Sequence, residues 1–440
     1  MTYQHAVDRN RGRDVTNHRR THYRRKRVPV SLISALLVAA AGVHLPSSAQ
    51  DYMGTLLPAQ STGRAIGPRP GVQRDVIIGF YPSVDIGLTN TDNALRTPDN
   101  EQSDTNLDLG ASLYYKNDLG TRHQFDVGYT GRITRYDEFD NRDSSNHQVE
   151  GAVLLDLSKI VDLDLFARLL KGTEDRGSSG SRLQQPLADG DKFDRSSLGG
   201  ILTFGRRSNA VQFELGAGAS EIDYTNNDQG DRDRDDSDLG ARLYYNFSPI
   251  TSIYLSGRER QIDYQDRTLD RDSDETTLEL GVRWEPTFLT TLDVAYGNLD
   301  KEFDNPTLQG YDSDTYRARL DWRPRDATKV GFYASKRTEE SPEVPSSFFV
   351  SKLVGINLTQ TIAGRFDLRA YLNDTKDDYT SGRNDDITDI GLGLDYGLNS
   401  WLSIGGLFAN IERDSSPDLA SYDENRFTLL LRGNWVPGSR

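Results

Sequence analysis

From about residue 77 to the C-terminus, apolar and polar residues alternate in stretches of about ten. Leu278, Leu280, Val282 and Trp284 alternate with Glu279, Gly281 and Arg283. A period of two puts the first set on one face of a strand and the second set on the other. In a soluble sandwich the polar face meets water. In a transmembrane barrel the arrangement inverts, with apolar side chains against lipid and polar ones around a wet lumen.

The connections decide between the two. About eighteen strands are predicted, from 77–89 to 424–435. Short turns such as Asn117-Asp118-Leu119-Gly120, Ser248-Pro249-Ile250 and Pro324-Arg325-Asp326-Ala327 alternate with longer stretches at 137–146, 176–193, 226–235, 305–312 and 414–423. Barrels of the outer membrane have short periplasmic turns, longer external loops and an even strand number. A sandwich has no reason to alternate in this way, and a propeller blade needs four short strands per repeat. The expected fold is therefore all-β, a transmembrane up-and-down antiparallel β-barrel of about 18 strands. Mean hydropathy of -0.66 does not oppose this, because only every second barrel residue need be apolar.

The N-terminus reads as a leader. Residues 1–27 are basic, an apolar run follows from Val28 to Val43, and Ser47-Ser48-Ala49 forms a small-residue cleavage site. The expected organisation is a signal peptide over 1–49, a Pro- and Gly-rich periplasmic extension over 50–75, a barrel over 76–436 and a tail over 437–440. Residues 1–49 carry nine Lys or Arg against Asp8 and Asp14, so their removal takes the formal charge from -15 to -22. That acidity argues against nucleic acid as a partner. It suits a surface of lipopolysaccharide and divalent cations. Cysteine is absent, which excludes disulfides and thiol chemistry.

Charge marks the lumen face, since Arg or Lys in lipid at the midplane costs about 2–4 kcal/mol. In 316–322, Tyr316, Ala318, Leu320 and Trp322 are expected to face lipid, and Arg317, Arg319 and Asp321 to face inward. The same rule assigns Asp108, Tyr114, Asp126, Arg168, Arg242, Tyr244, Glu279, Arg283, Asp367, Arg369, Tyr371 and Arg432 to the lumen. Mixed charge with tyrosines suits a neutral or weakly acidic polar cargo such as a glycan; alternatively, these residues pair across the lumen and stiffen the wall. Tyr114-Tyr115, Tyr244-Tyr245, Trp284, Trp322 and Tyr396 suggest a lower aromatic girdle. Tyr136, Tyr224, Tyr264, Phe303 and Tyr379 suggest an upper one.

Catalytic motifs are missing. The expected mature chain has His123 and His147 alone, neither beside a nucleophile motif. Gly177-Ser178-Ser179-Gly180-Ser181 reads as a flexible loop tip. The run Asp228 to Asp236 has the look of a calcium loop but lacks the closing Glu and carries two Arg, so it reads as a solvated external loop. No enzyme, cofactor or metal site is expected.

Several stretches carry a family resemblance. Thr89-Asn90-Thr91-Asp92-Asn93-Ala94-Leu95-Arg96-Thr97 leading to Ser103-Asp104-Thr105 resembles the start of the putative β-barrel porin 2 family. So do His123-Gln124-Phe125-Asp126-Val127-Gly128-Tyr129, Arg135-Tyr136, and Asn146-His147-Gln148 leading into Glu174-Asp175-Arg176-Gly177. The resemblance covers about 75–435. It implies an outer-membrane barrel of the kind associated with capsule and exopolysaccharide loci, and it supplies no catalytic residues. The leading expectation is a channel exporting an exopolysaccharide or capsular polysaccharide with periplasmic export proteins as partners. The alternatives are a general diffusion porin for small solutes and a structural barrel anchoring a surface polymer.

Overall fold

The computed structural model describes residues 78–120, 122–182 and 188–435. The expected leader, the lead-in over 50–75 and the tail over 437–440 lie outside the described residues. Eighteen strands form one sheet: β1 (Gly79–Thr91), β2 (Asp104–Leu119), β3 (His123–Tyr136), β4 (Ser144–Ser158), β5 (Val161–Thr173), β6 (Lys192–Phe204), β7 (Val211–Tyr224), β8 (Arg234–Ser248), β9 (Thr251–Tyr264), β10 (Ser273–Thr287), β11 (Thr290–Phe303), β12 (Tyr311–Arg325), β13 (Thr328–Glu340), β14 (Phe348–Ile362), β15 (Phe366–Tyr379), β16 (Asn384–Gly397), β17 (Leu402–Ser416) and β18 (Tyr422–Asn434). Each strand pairs antiparallel with its neighbours in sequence, and β1 pairs with β18, from Ser83↔Asn434 to Thr91↔Arg426. The sheet closes into a barrel without edges, the condition for strands to sit in lipid with every ladder group bonded.

The outer face follows the alternation. Leu278, Leu280, Val282 and Trp284 are exposed on β10, and Leu239, Leu243 and Tyr245 on β8. Exposed apolar side chains at every second position need a lipid solvent. Near the short turns Tyr245, Trp284, Trp322, Trp401 and Trp435 stand out on this face, as a girdle at the lower interface requires.

The upper girdle does not exist as expected. Tyr224, Tyr264 and Tyr379 point into the barrel and donate to Glu174 (2.7 Å), Glu340 (2.7 Å) and the Ser179 carbonyl (3.0 Å). Phe303 packs against the buried Phe348, and Tyr136 lines an internal cavity. The reason is parity. On β9 the outward Leu255 is odd-numbered, so Tyr264 shares the inner face with Tyr254 and Ile262. A membrane needs about 9–11 residues of tilted strand. These strands are longer, so their upper ends rise past the bilayer and their inner tyrosines line the mouth.

The inner face has its own device. Tyr254 lies opposite Gly281, and Tyr371 opposite Gly391. A Cβ on either glycine would overlap the facing ring. Tyr114 with Gly128 and Tyr333 with Gly355 repeat the pairing. Each ring lies flat along the wall on its glycine instead of filling the lumen.

Leu280→Arg puts a charge into lipid at a cost of up to about 2–4 kcal/mol. It should deplete the fast-migrating folded band on unboiled gels, whereas Arg319→Ala should leave that band intact. Equal loss in both would refute the face assignment.

Candidate functional site: a strap across the barrel mouth

The described part of the external connection between β5 and β6, residues 174–182 and 188–191, reaches across the mouth of the barrel. Its base is closed by Glu174 N–H donating to the Asp191 carbonyl (2.8 Å). Two tight turns follow, with Ser178 N–H on Asp175 O and Ser181 N–H on Ser178 O. Gly177, inside the first turn, has φ of 69°, a left-handed conformation that glycine takes without strain, and a Cβ there would strike Tyr422 and Arg96.

In the described part of this strap, four main-chain carbonyls are held by buried donors, from β15, β17 and β18 and from the neighbouring loops at Arg96 and Arg232. Arg96 donates to Arg176 O. Arg413 and Tyr422 both donate to Gly177 O, at 2.6 Å and 3.1 Å. Tyr379 donates to Ser179 O, and Arg232 to Gly180 O at 2.7 Å. Beyond them, Arg182 reaches Pro342 O (2.8 Å) and Asp231 (2.7 Å). The strap leaves from β5 and is caught on β15, eight strands away in a ring of eighteen. That is nearly a diameter.

The donors are themselves fixed. Arg96 pairs with Glu424 at 2.8 Å, both side chains 2% exposed, and Thr91 donates to the same carboxylate. Arg413 and Arg383 share Asp385. Arg232 pairs with Glu174 (2.8 Å) and lies over the Tyr224 ring. Asp175 closes the group by meeting Arg96 (3.1 Å) and Arg142 (3.5 Å). Burial pulls the Arg96 guanidinium down, but Asp175 and Glu424 outweigh it and hold its pKa well above the usual value. On the strap, burial and the nearby Arg142 and Arg96 push Arg176 down to about 10.

Two loop expectations change here. Gly177-Ser178-Ser179-Gly180-Ser181 is a latched strap, not a flexible tip. The run from Asp228 to Asp236 is packed rather than solvated, with Gln229, Arg232 and Asp236 each at or below 5% exposure. Arg182 and Arg271 both reach Asp231 from outside the run.

Beneath the strap lies a cavity of about 260 Å³. Its lining mixes hydroxyls and amides, such as Asn106, Thr130, Gln148 and Thr428, with charged side chains, such as Arg132 and Arg426, and apolar ones, such as Phe193 and Leu407. Among the described residues, no group of three or more His, Asp or Glu could hold a metal ion.

The sequence matches the family described as putative β-barrel porin 2 over residues 79–434. The chain belongs to the putative β-barrel porin 2 family. Membership makes it a porin-type barrel of the outer membrane. No curated protein matches its sequence. Among solved structures it is similar to OccK2 (OpdF) of Pseudomonas aeruginosa, 11% identical over 81% of this chain and 97% of that one, TM-score 0.44. A BenF-like porin of Pseudomonas fluorescens Pf-5 is 11% identical over 83% and 100%, TM-score 0.44. The ferric enterobactin receptor PfeA of Pseudomonas aeruginosa, as a mutant, is 8% identical over 82% and 81%, TM-score 0.41. Likenesses this distant carry no argument about cargo.

Within this porin-family barrel, the lumen residues named from the sequence fall into separate clusters. Arg242, Tyr244, Glu279, Arg283 and Arg317 converge on β8–β12. Arg317 bonds Glu279 (3.1 Å) and Tyr254 (2.9 Å), and Arg283 pairs with Asp293 (2.8 Å). Arg242 donates to Tyr244, which donates to Glu214. Arg369 and Arg432 share Asp395, and Asp367 accepts from Thr361. Arg168 pairs with Glu150, and Arg319 with Asp321, the latter pair half-exposed. Tyr114 bonds Thr130, and Asp126 is buried on β3. Asp108 accepts from Thr134 (2.6 Å) and, with Tyr371, lines the cavity. These pairs run along the wall, within one strand or between strands up to three apart.

Sequence reasoning missed the cavity's Arg426 and Thr428 and the mouth's Glu424. The signal was present: Phe427, Leu429 and Leu431 face out, so their even-numbered neighbours face in. Nothing local marked Arg96, Arg142 or Arg176.

The two tyrosine hydroxyls on the strap contribute about 0.5–1.5 kcal/mol each. Tyr379→Phe with Tyr422→Phe should therefore raise tryptic cleavage after Arg182 roughly tenfold in the folded barrel. An unchanged cleavage rate would show that these hydroxyls do not hold the strap.

Proposed function

We propose that this barrel is an outer-membrane channel through which an exopolysaccharide or capsular polysaccharide leaves the cell. The observation that carries the reading is the interior beneath the strap, a cavity where hydroxyls, amides and charged side chains share the lining with apolar ones such as Leu170, Phe193 and Leu407. A ring of one sign would select small ions. Here Arg sits paired with Asp or Glu along the wall, as Arg317 with Glu279 and Arg369 with Asp395, rather than in a ring of one sign. Many weak contacts let a polymer slide rather than lodge. A cleavable leader ending near Ala49 would bring the chain to the periplasm. There export proteins would deliver the polymer, and outer-membrane lipid and lipopolysaccharide would surround the barrel.

General diffusion of small solutes is the second reading. It is favoured by Arg319 and Asp321, which lie on the inner face of β12 and stay open to water. A strap spanning the mouth favours a regulated passage instead.

Deleting the gene should leave polymer in the periplasm while synthesis continues. Normal secretion from the deletion strain, with loss of small-solute uptake and a constitutive conductance of the purified barrel in planar bilayers, would overturn export in favour of diffusion.

A further inference from the structure

The strap is held in an unusual way. Between Arg176 and Ser181 its side chains are mostly absent or small, so little apolar surface anchors it. Its hold comes from backbone carbonyls at 176, 177, 179 and 180, each accepting from a buried side chain of the strand ends or the adjoining loops. Asp175 adds one carboxylate, placed between Arg96 and Arg142. Seen from the wall, the strap is a row of acceptor oxygens with a negative charge at one end.

Arg96, Arg413, Tyr379 and Tyr422 are oriented by partners outside the strap, whereas Arg232 and Arg142 also pair with its Glu174 and Asp175. Glu424 holds Arg96 and Asp385 holds Arg413. Tyr379 and Tyr422 are covered by Arg383 and Arg96, at 4.6 Å and 5.3 Å from the ring centroids. With the strap withdrawn, the same donors would face the lumen already oriented, which is what a binding site requires. Buried donors cannot be left unmet, so withdrawal is favourable only if other oxygens take the carbonyls' place.

We propose that Arg96, Tyr379, Arg413 and Tyr422, with Arg142 and Arg232, form a saccharide-binding belt in the mouth, and that Asp175–Gly180 occupies it as a surrogate ligand displaced by an acidic polysaccharide. The proposal rests on the polysaccharide reading above and names the cargo's class. Sugar hydroxyl and ring oxygens match the carbonyls. A uronate-type carboxylate matches Asp175. A neutral chain leaves Arg96 and Arg142 without that carboxylate and competes poorly. Exchanging like for like keeps the two states close in free energy, so a modest preference of the cargo for the vacated belt moves the strap.

The test uses the barrel purified from outer membranes, with oligogalacturonate and a neutral maltooligosaccharide of equal length as probes. On the wild-type barrel, oligogalacturonate should speed tryptic cleavage after Arg182 at least fivefold and the neutral probe should not. A chain lacking residues 175–181, shown to be folded by heat-modifiable mobility, should bind oligogalacturonate at least tenfold more tightly than wild type. Adding Tyr379→Phe, Tyr422→Phe and Arg413→Gln to it should abolish that gain. Equal effects of both probes, no gain on shortening, or a gain that survives the donor changes would overturn the belt. If the deletion strain retains periplasmic polymer while the shortened barrel ignores oligogalacturonate, export stands and the acidic belt falls.

Discussion

The pairing of β1 with β18 is the interaction on which the rest of the molecule depends. In hydrocarbon there is no water to satisfy an open strand edge, so a sheet spans only when its first and last strands bond each other. Here they do so over Ser83–Thr91 and Asn434–Arg426. Closure gives each strand one face for lipid and one for the lumen. Every inward charge must then find its partner on the inner wall. Arg317 with Glu279, Arg283 with Asp293 and Arg369 with Asp395 are consequences of that confinement. Tyrosines lying on glycines keep the same wall flat.

The upper ends of the strands obey a different constraint. They rise past the bilayer, where both faces can meet water, yet their inner residues are among the most buried in the chain. Arg413, Tyr264, Lys301 and Glu424 are each at or below 2% exposure. Removing one member of a buried ion pair leaves an uncompensated charge and costs several kcal/mol. The rim of the mouth is thus stiff. The strap it holds is not held in the same way, since glycine and serine bury little and main-chain hydrogen bonds are individually modest. A buried, ion-paired rim holding a strap by main-chain carbonyls is the combination from which the proposed belt arises.

Much of the barrel was legible in the residues. Strand number, turn alternation and the outward face of Leu278 to Trp284 follow from a period of two, which survives whatever the distant chain does. The tyrosines at the strand tops were misread because height along the strand was considered without face. Tyr264 and Tyr379 have the parity of the lumen, and that parity overrides any tendency of aromatics toward an interface. The same count would have named Glu424, Arg426 and Thr428. The strap was not legible at all. Tyr422 meets Gly177 across 245 residues of sequence, and Arg413 across 236.

The residue order alone determined that this chain is a barrel with an oily outside and a charged inside, because alternation is a property of neighbours and lipid rejects charge at any register. Only the closed ring decided where the third external loop goes and which arginines and tyrosines receive it. Those partners lie far apart along the chain and become adjacent when β18 returns to β1, so their meeting is a fact of circumference and is written in no local pattern.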